Sequence, residues 1–389
     1  MAKYIRSKTY TILMILIISI NFIEISHAGE IISIINPDNM GDANQIRGVM
    51  GQIKAISSSE WVTKEVNYQE LDKISQSFKC SDKDKIIAIS SGVYGIDALR
   101  SIEKFNGCKL LKVHVSHQIL NDYEKLLLTK TNPEGVDIIA LPKHAVTENL
   151  RKKVQHSGIK LVETVGVCHN LTKEEVIDEF KKHSFSFPVV KKYLVVILGG
   201  DVQMPDGKEW KQYQVNEAEK LSELVLARAQ EKNLYIIVLN GPRTGKHNVD
   251  GMINEKAHKG EIDHVTQTFI TSVRAKTENV KLFDFQIGIP SLYKAALGGA
   301  VLKEGSEIWI PGESTSMVSE AVDIIDNVVV YDHSAMNQTH RLHIDSEFSA
   351  GRVKRLQPNG FIISPALGNK TNTGNSAAAC VERETIKAL

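Results

Sequence analysis

A cluster of hydroxyl residues stands at the start of a predicted helix in residues 311–322, PGESTSMVSEAV. One hydroxyl is enough to cap a helix, whereas this stretch has four. The N–H groups of a first helical turn bind anions, and Ser314, Thr315 and Ser316 can add donors to the same anion. Glu320 lies one turn after Ser316 and can accept hydrogen bonds from a ribose diol. We therefore predict a diphosphate and ribose site; the alternative is an over-capped core helix with a costly buried glutamate.

Two glycine-containing loops precede that stretch, and each follows an apolar run that is typical of a buried strand. In LGGDVQ, Gly199 and Gly200 would let a ligand approach the backbone, although a plain glycine turn explains the pair equally well. NGPRTGK is not a Walker loop, because only three residues separate its two glycines and His247 replaces the expected Ser or Thr. Its Arg243, next to Thr244, can hold a phosphate through two hydrogen bonds; the alternative is a surface arginine.

Two loops in the first half of the chain hold candidate acid–base groups. NPDNMGDANQ joins the first predicted strand to the first helix, with Gly41 and Asp42 at the turn and helix cap and Gln45 one turn later. LPKHAV places His144 after another strand, where it can carry a proton or serve only as a capping donor. We expect both loops to face a ligand-binding cleft.

Apolar runs alternate with helix-like stretches along most of the chain, as IIAISSG and YLVVILGG illustrate. Such runs suit strands that are buried on both faces, so the alternation predicts an α/β fold with doubly wound parallel sheets. A break at SFSFPVVKKY predicts two Rossmann-like domains, residues 29–189 and 190–364, followed by a flexible tail over 365–389. The last helix, 335–353, is expected to cross back to the first domain. Ligands bind where the carboxyl ends of such strands line a cleft.

The first 28 residues have the pattern of a signal peptide. Basic residues without an acid precede the apolar run TILMILIISINFI, which is short for a membrane span, and small residues end the segment at Ala28. We predict cleavage after Ala28 and export to the periplasm or the medium. The alternative is an uncleaved membrane anchor.

Composition narrows the choice of partners and cofactors. Lys and Arg number 47 against 46 acids, a balance that does not favour a general nucleic-acid binder. No Cys-x-x-Cys pair occurs, and neither an acid nor a cysteine joins His340 and His343, so we predict no metal site and no cofactor. Cys80 and Cys108 each precede a strand-like run; if those strands are neighbours in a parallel sheet, the two cysteines would form a disulfide or remain two buried thiols.

Six segments, in this order along the chain, resemble the mitochondrial fission family founded on the plant elongated-mitochondria protein: GDANQ, LPKH, VETVGVCHNLT, VVILGGD, NGPRTG and ESTSMVSEA. Bacterial members of that family look like GT-B glycosyltransferases, which implies two facing Rossmann-like domains and a metal-independent reaction. The resemblance implies donor-binding roles for Gly199, Gly200, Arg243, Thr244, Ser314, Thr315, Ser316 and Glu320. It also implies catalytic roles for Asp42 and His144, and an acceptor-side position for Gly41 and Gln45.

Three departures from the family pattern leave the reaction open. Glu313 stands where the family usually has Asp, Pro242 replaces the first of two arginines, and Ala145 follows His144 in place of an acid. In one hypothesis the protein is a glycosyltransferase with a nucleotide-activated sugar or a related phosphorylated donor. In the other it is an exported, non-catalytic GT-B-like scaffold, because nucleotide-sugar donors are cytoplasmic. We expect no nucleic-acid partner, and membrane contact only through an uncleaved leader.

Overall fold

A computed structural model describes residues 29–37, 39–56, 61–70, 85–92, 95–102, 109–117, 135–204, 209–365 and 376–389 of the chain. The predicted signal peptide and both cysteines of the predicted disulfide, Cys80 and Cys108, lie outside the described residues. Within those residues, no helix combines the length and the apolar character needed to cross a bilayer.

The first sheet has six parallel strands in the order β2-β1-β3-β4-β5-β6. Their bounds are β1 Gly29–Ile35, β2 Trp61–Asn67, β3 Lys85–Ser91, β4 Lys109–Val115, β5 Ile138–Pro142 and β6 Lys160–Thr164. Strands β3, β4 and β5 are buried almost throughout, because apolar side chains point to helices or loops on both faces. The helices of this half are α1 Met40–Ile56, α2 Gly95–Ser101, α3 Glu148–Ser157 and α4 Lys173–His183.

The second sheet has seven strands in the order β11-β10-β7-β12-β13-β14-β15, all parallel except the last pair. A separate antiparallel pair, β8 and β9, lies in the loop after β7. The bounds are β7 Tyr193–Ile197, β8 Val202–Gln203, β9 Trp210–Lys211, β10 Tyr235–Leu239, β11 Val280–Phe283, β12 Glu307–Pro311, β13 Val328–Tyr331, β14 Lys354–Leu356 and β15 Ile362–Ile363.

Helices cover both faces of this second sheet, and two hydrophobic clusters fill the layers between. The helices that follow β7 in the chain are α5 Val215–Lys232, α6 His264–Arg274, α7 Tyr293–Leu302, α8 Thr315–Ile324, α9 Gln338–Ser349 and α10 Ala377–Ala388, the last of which packs on the first sheet. Two Rossmann-like sheets of mainly parallel strands confirm the predicted α/β, GT-B-like fold class.

Two helices pack on the sheet of the other half of the chain. Helix α4 precedes the predicted boundary near residue 190, yet its Val176 belongs to the core of the second sheet, against α7. Helix α10 packs on α1 and on β6 of the first sheet, with Ala377, Ala378 and Val381 in that core. The exact domain boundaries stay a prediction.

The predicted flexible tail over 365–389 is corrected for residues 376–389, because α10 packs in the first core. The small residues of its first turn resemble low-complexity sequence, but their size is what allows α10 to lie close to α1. The chain returns to the first half through α10, whereas α9 packs on the second core through Ile344 and touches the first half at the 3-10 turn Lys143–Ala145.

Candidate functional site

The loops after the carboxyl ends of the two sheets contact one another directly. The rings of His144 and His343 lie 4.7 Å apart between centroids, edge to face. The N–H of Val167, in the loop after β6, donates to Ser319 Oγ of α8 at 2.9 Å. The two halves therefore meet at this edge of their sheets, and the region between them is the cleft in which open α/β sheets bind ligands.

Helix α8 begins in this cleft with a first turn that has no internal cap. Ser314 occupies the N-cap position, but its hydroxyl accepts no hydrogen bond from the helix. The N–H groups of Thr315, Ser316 and Met317 find no partner among the described residues. Ser314 and Thr315 are half-buried and Ser316 is exposed, so three hydroxyls and three N–H groups stand at a helix start that favours anions.

The glycine pair after β7 lies against the loop that carries Arg243. A Cβ atom at Gly200 would stand only 2.8 Å from the Cβ of Arg243, and the N–H of Asp201 donates to the Arg243 carbonyl at 2.8 Å. Gly200 is thus needed for contact between two loops of the protein itself. The Arg243 side chain is exposed and has no ion pair within the described part of the chain, which leaves its guanidinium free for a ligand.

Glu313 ties the glycine loop to the start of α8, a role that the sequence did not reveal. Its Oε1 accepts from the N–H of Gly200 at 2.8 Å, and its Oε2 accepts from His333 Nε2 at 2.5 Å. Burial opposes its ionisation, but His333, the Gly200 N–H and the charge of Arg243 outweigh burial and lower the pKa of Glu313. Two features of the sequence pointed to this residue, namely an acid next to Gly312 at the end of a strand and its place in the family pattern, where Asp is usual.

Thr244 is placed differently from the prediction. Its hydroxyl is buried and accepts from the N–H of Gly241 at 3.2 Å, while its carbonyl accepts from His258 Nε2 at 2.9 Å. Thr244 therefore shapes the loop and presents no hydroxyl to a ligand. Of the two residues predicted there, only Arg243 has a side chain free to bind.

Glu320 is half-buried on α8, beside Tyr293 of α7 and near His169 of the first half. Burial raises the pKa of Glu320, and the His169 charge and a hydrogen bond from Tyr293 limit that rise. A carboxylate in these surroundings remains able to accept a hydrogen bond from a diol at the inner end of the cleft.

The fourth hydroxyl of the opening stretch serves another purpose. Ser319 Oγ accepts from the Val167 N–H and donates to Glu347 Oε1 at 3.4 Å. Gly166, with φ of 78°, passes so close that a Cβ there would lie 2.6 Å from Glu347 Oε1. Ser319 is a structural residue at the contact between the halves, a role that its position in the sequence did not indicate.

An ion-pair network surrounds that contact. Arg352 Nη2 donates to Asp323 Oδ1 at 2.8 Å, and Arg352 Nε lies 3.0 Å from Glu347 Oε2. Asp323 also accepts from His169 Nε2 at 3.0 Å through its other oxygen. Burial raises the pKa of Glu347 to about 7, although the Arg352 charge opposes the shift.

On the first-half side of the cleft, Asp42 is buried and held by three donors. These are Asn39 Nδ2 at 2.7 Å, Ser91 Oγ at 3.3 Å and Gln45 Nε2 at 3.4 Å. A cavity of about 20 Å³ adjoins the carboxylate, which is room for one water molecule. Burial raises the pKa of Asp42, while His117 and Ser91 limit the rise. Gly41, next to it, is exposed.

Histidines connect Asp42 to the donor side of the cleft. Burial lowers the pKa of His144 to about 4, and the charges of His117 and His340 lower it further. Burial lowers the pKa of His340 to about 4 as well, and the charges of Glu313 and Arg243 also act on this histidine. Asp42, His144 and Arg243 thus belong to one continuous electrostatic neighbourhood, in which the histidines are neutral near pH 7.

One group of side chains in the described ranges has the residue types of a metal site, namely His258, Asp263 and Asp284, whose ligand atoms lie within 4.8 Å of one another. Both ring nitrogens of His258 face carbonyl oxygens, those of Phe285 at 3.1 Å and Thr244 at 2.9 Å. Asp263 caps α6 through the N–H of Thr266. These contacts use the atoms that a metal would need, and we assign no metal here.

Comparison with known proteins shows one family and several distant structures. The family model described as mitochondrial fission ELM1 matches residues 40–359. A glycosyltransferase from Rickettsia africae ESF-5 is 11% identical, with 92% of this chain and 93% of that chain covered and a TM-score of 0.45. A family 9 glycosyl transferase from Veillonella parvula DSM 2008 is 10% identical, with 79% and 80% covered and a TM-score of 0.33.

The ADP-heptose lps heptosyltransferase II of E. coli is 7% identical, with 92% of this chain and 98% of that chain covered and a TM-score of 0.32. All three TM-scores lie below 0.5, so these likenesses say nothing of substrate or reaction for this chain. No curated protein matched by sequence.

Proposed function

The chain belongs to the mitochondrial fission ELM1 family, and we propose that it is a glycosyltransferase that binds a nucleotide-activated sugar, or a related phosphorylated donor, in the cleft. The observation that carries this proposal is the uncapped start of α8 beside Arg243, whose guanidinium has no ion pair within the described ranges. Three free N–H groups, three hydroxyls and one cation suit a diphosphate, which carries negative charge on several oxygens.

Each residue then has a defined task in the reaction. The donor diphosphate lies on the N–H groups of Thr315 and Ser316, and Glu320 accepts from the ribose hydroxyls. Arg243 offsets the charge that grows on the diphosphate as its bond to the sugar breaks. Because all these groups lie on a helix and a loop that follow strands of the second sheet, the second half of the chain can bind the donor on its own.

The acceptor approaches from the first half of the chain, past Gly41 and Gln45. Its hydroxyl oxygen forms a bond to the anomeric carbon, the diphosphate leaves with the electron pair of the broken bond, and the hydroxyl proton passes to Asp42 or His144. Asp42 suits this task better, since a raised carboxylate pKa strengthens the base, whereas a pKa of about 4 makes His144 a weak one.

A second candidate is an exported scaffold without catalysis. Two internal contacts favour it, because the Gly200 N–H and the Thr244 hydroxyl, both predicted to face a donor, bind protein atoms instead. The export predicted for residues 1–28 also separates the protein from cytoplasmic donors.

Calorimetric titration of residues 29–389 with UDP, GDP, ADP and their sugar conjugates tests the proposal. We expect selective binding that Arg243→Ala weakens by about tenfold or more, equivalent to about 1.4 kcal/mol. Arg274→Ala is the matched control, because Arg274 is exposed on the last turn of α6. Absence of binding to every nucleotide would reject the transferase and support the scaffold.

A further inference from the structure

A second cavity lies at the carboxyl ends of β13 and β14, on the sheet face that α5 covers. Its volume is about 330 Å³, near the lower end of the range for small-molecule sites. Leu221 and Leu224 of α5 and Leu356 of β14 provide its apolar wall. Helix α8 packs on the other face of the sheet, so this cavity is separate from the proposed donor site.

The charged residues around the cavity are satisfied by neighbours, with one exception. Glu217 accepts from the N–H and the hydroxyl of Ser334, at 2.7 and 2.8 Å. Arg355 donates to Asp345 at 2.7 Å. Lys220 is exposed and has no ion pair in the part of the chain that is described, which leaves one free cation on the wall.

One buried side chain of the wall has a polar atom without a hydrogen-bond partner. His333 Nδ1 has none among the described residues, although His333 is only 5% exposed. The other ring nitrogen, Nε2, faces Glu313, so Nδ1 is the nitrogen that remains for a ligand. Buried polar atoms are rarely left unpaired, so Nδ1 calls for a partner.

We propose that this cavity binds a small amphipathic anion, a molecule with an apolar ring or short chain and one acidic group. The three leucines pack against the apolar part, and Lys220 pairs with the acidic group. A hydroxyl or N–H on the ligand can supply the partner that His333 lacks. His333 binds Glu313, and Glu313 binds the Gly200 N–H, so the cavity wall is two contacts from the glycine loop.

The test uses 8-anilinonaphthalene-1-sulfonate, an apolar ring system with one anionic group, and its fluorescence on titration into residues 29–389. We expect saturable binding at one site per chain. Leu224→Trp, which fills the cavity, should abolish it, and Lys220→Glu should weaken it by about tenfold or more. Lys276→Glu, at a different surface depression beside Leu226 and Asn279, should leave it unchanged.

Equal binding by the wild type and the Lys220→Glu variant would overturn the proposal, as would the lack of any saturable binding. Lys220 is exposed, so its substitution leaves the fold intact even if Leu224→Trp does not fold. Circular dichroism melts of each variant distinguish loss of the site from loss of the fold.

Discussion

Ser319 Oγ of α8 accepts a hydrogen bond from the Val167 N–H at 2.9 Å and thereby joins the two halves of the cleft. The same hydroxyl donates to Glu347, which lies beside Arg352. The fourth hydroxyl of the stretch 311–322 therefore forms a contact between donor side and acceptor side. Its neighbours in the sequence, Thr315 and Ser316, remain free for a ligand.

Replacement of Ser319 should weaken this contact. Ser319→Ala leaves the buried Val167 N–H without an acceptor, which costs about 1–3 kcal/mol of unfolding free energy. Urea denaturation followed by circular dichroism measures the loss. Ser316→Ala is the control, since its hydroxyl is exposed, and it should change stability by less than about 0.5 kcal/mol. Equal effects of the two substitutions would contradict the role given to Ser319.

Buried histidines should make the protein sensitive to acid. Burial lowers the pKa of His343 to about 3 and that of His144 to about 4, from 6.5. The unfolded chain therefore binds these protons first, and stability falls as the pH drops from about 6.5 towards 4. His343→Gln should flatten that fall in melting temperature, whereas His156→Gln, at an exposed site, should not.

Glu347 should make the protein less stable as the pH rises. Its folded pKa of about 7 exceeds the usual 4.5, so the stability that its protonated form contributes is complete below about pH 4.5 and is lost as the pH rises through 7. Glu347→Gln removes this loss. The melting temperature should change less between pH 6 and pH 8 in the variant than in the wild type. An equal change in the two proteins would show that Glu347 does not titrate in this range.

Glu313 should be required for the shape of the donor loop. Glu313→Gln removes the charge that pairs with His333 and accepts from Gly200, and we expect it to lower unfolding free energy by about 2 kcal/mol. Nucleotide binding should weaken as well, through displacement of the glycine loop. Asp332→Asn is the control, because Asp332 is a neighbouring acid on the surface. Thermal melts and calorimetry separate the two effects.

Helix α10 should be an essential part of the first core. Val381 is fully buried against the first sheet, so Val381→Asp places an unpaired charge there and should destabilise the protein by more than about 3 kcal/mol. Ile386→Asp on the same helix, at a site that is 39% exposed, should cost far less. A stable Val381→Asp variant would restore the predicted flexible tail.

Much of the fold could be predicted from local pattern, because strands buried on both faces need continuous apolar runs. The runs IIAISS and YLVVI became β3 and β7. Helix α10 was not predicted, because its first turn consists of alanines, whose packing depends on how closely α1 approaches them.

The amino-acid sequence was sufficient to predict which types of residue form the candidate site, since an anion site needs hydroxyls, glycines and a cation at strand ends. It could not distinguish Ser319 from Ser316, or Thr244 from Arg243. The two residues of each pair lie on the same loop or helix and differ only in the direction in which their side chains point. Glu313 and His333 are twenty residues apart and meet only when β12 and β13 pair. Such partners follow from three-dimensional packing, which brings distant residues within hydrogen-bond reach and determines which polar atoms remain for a ligand.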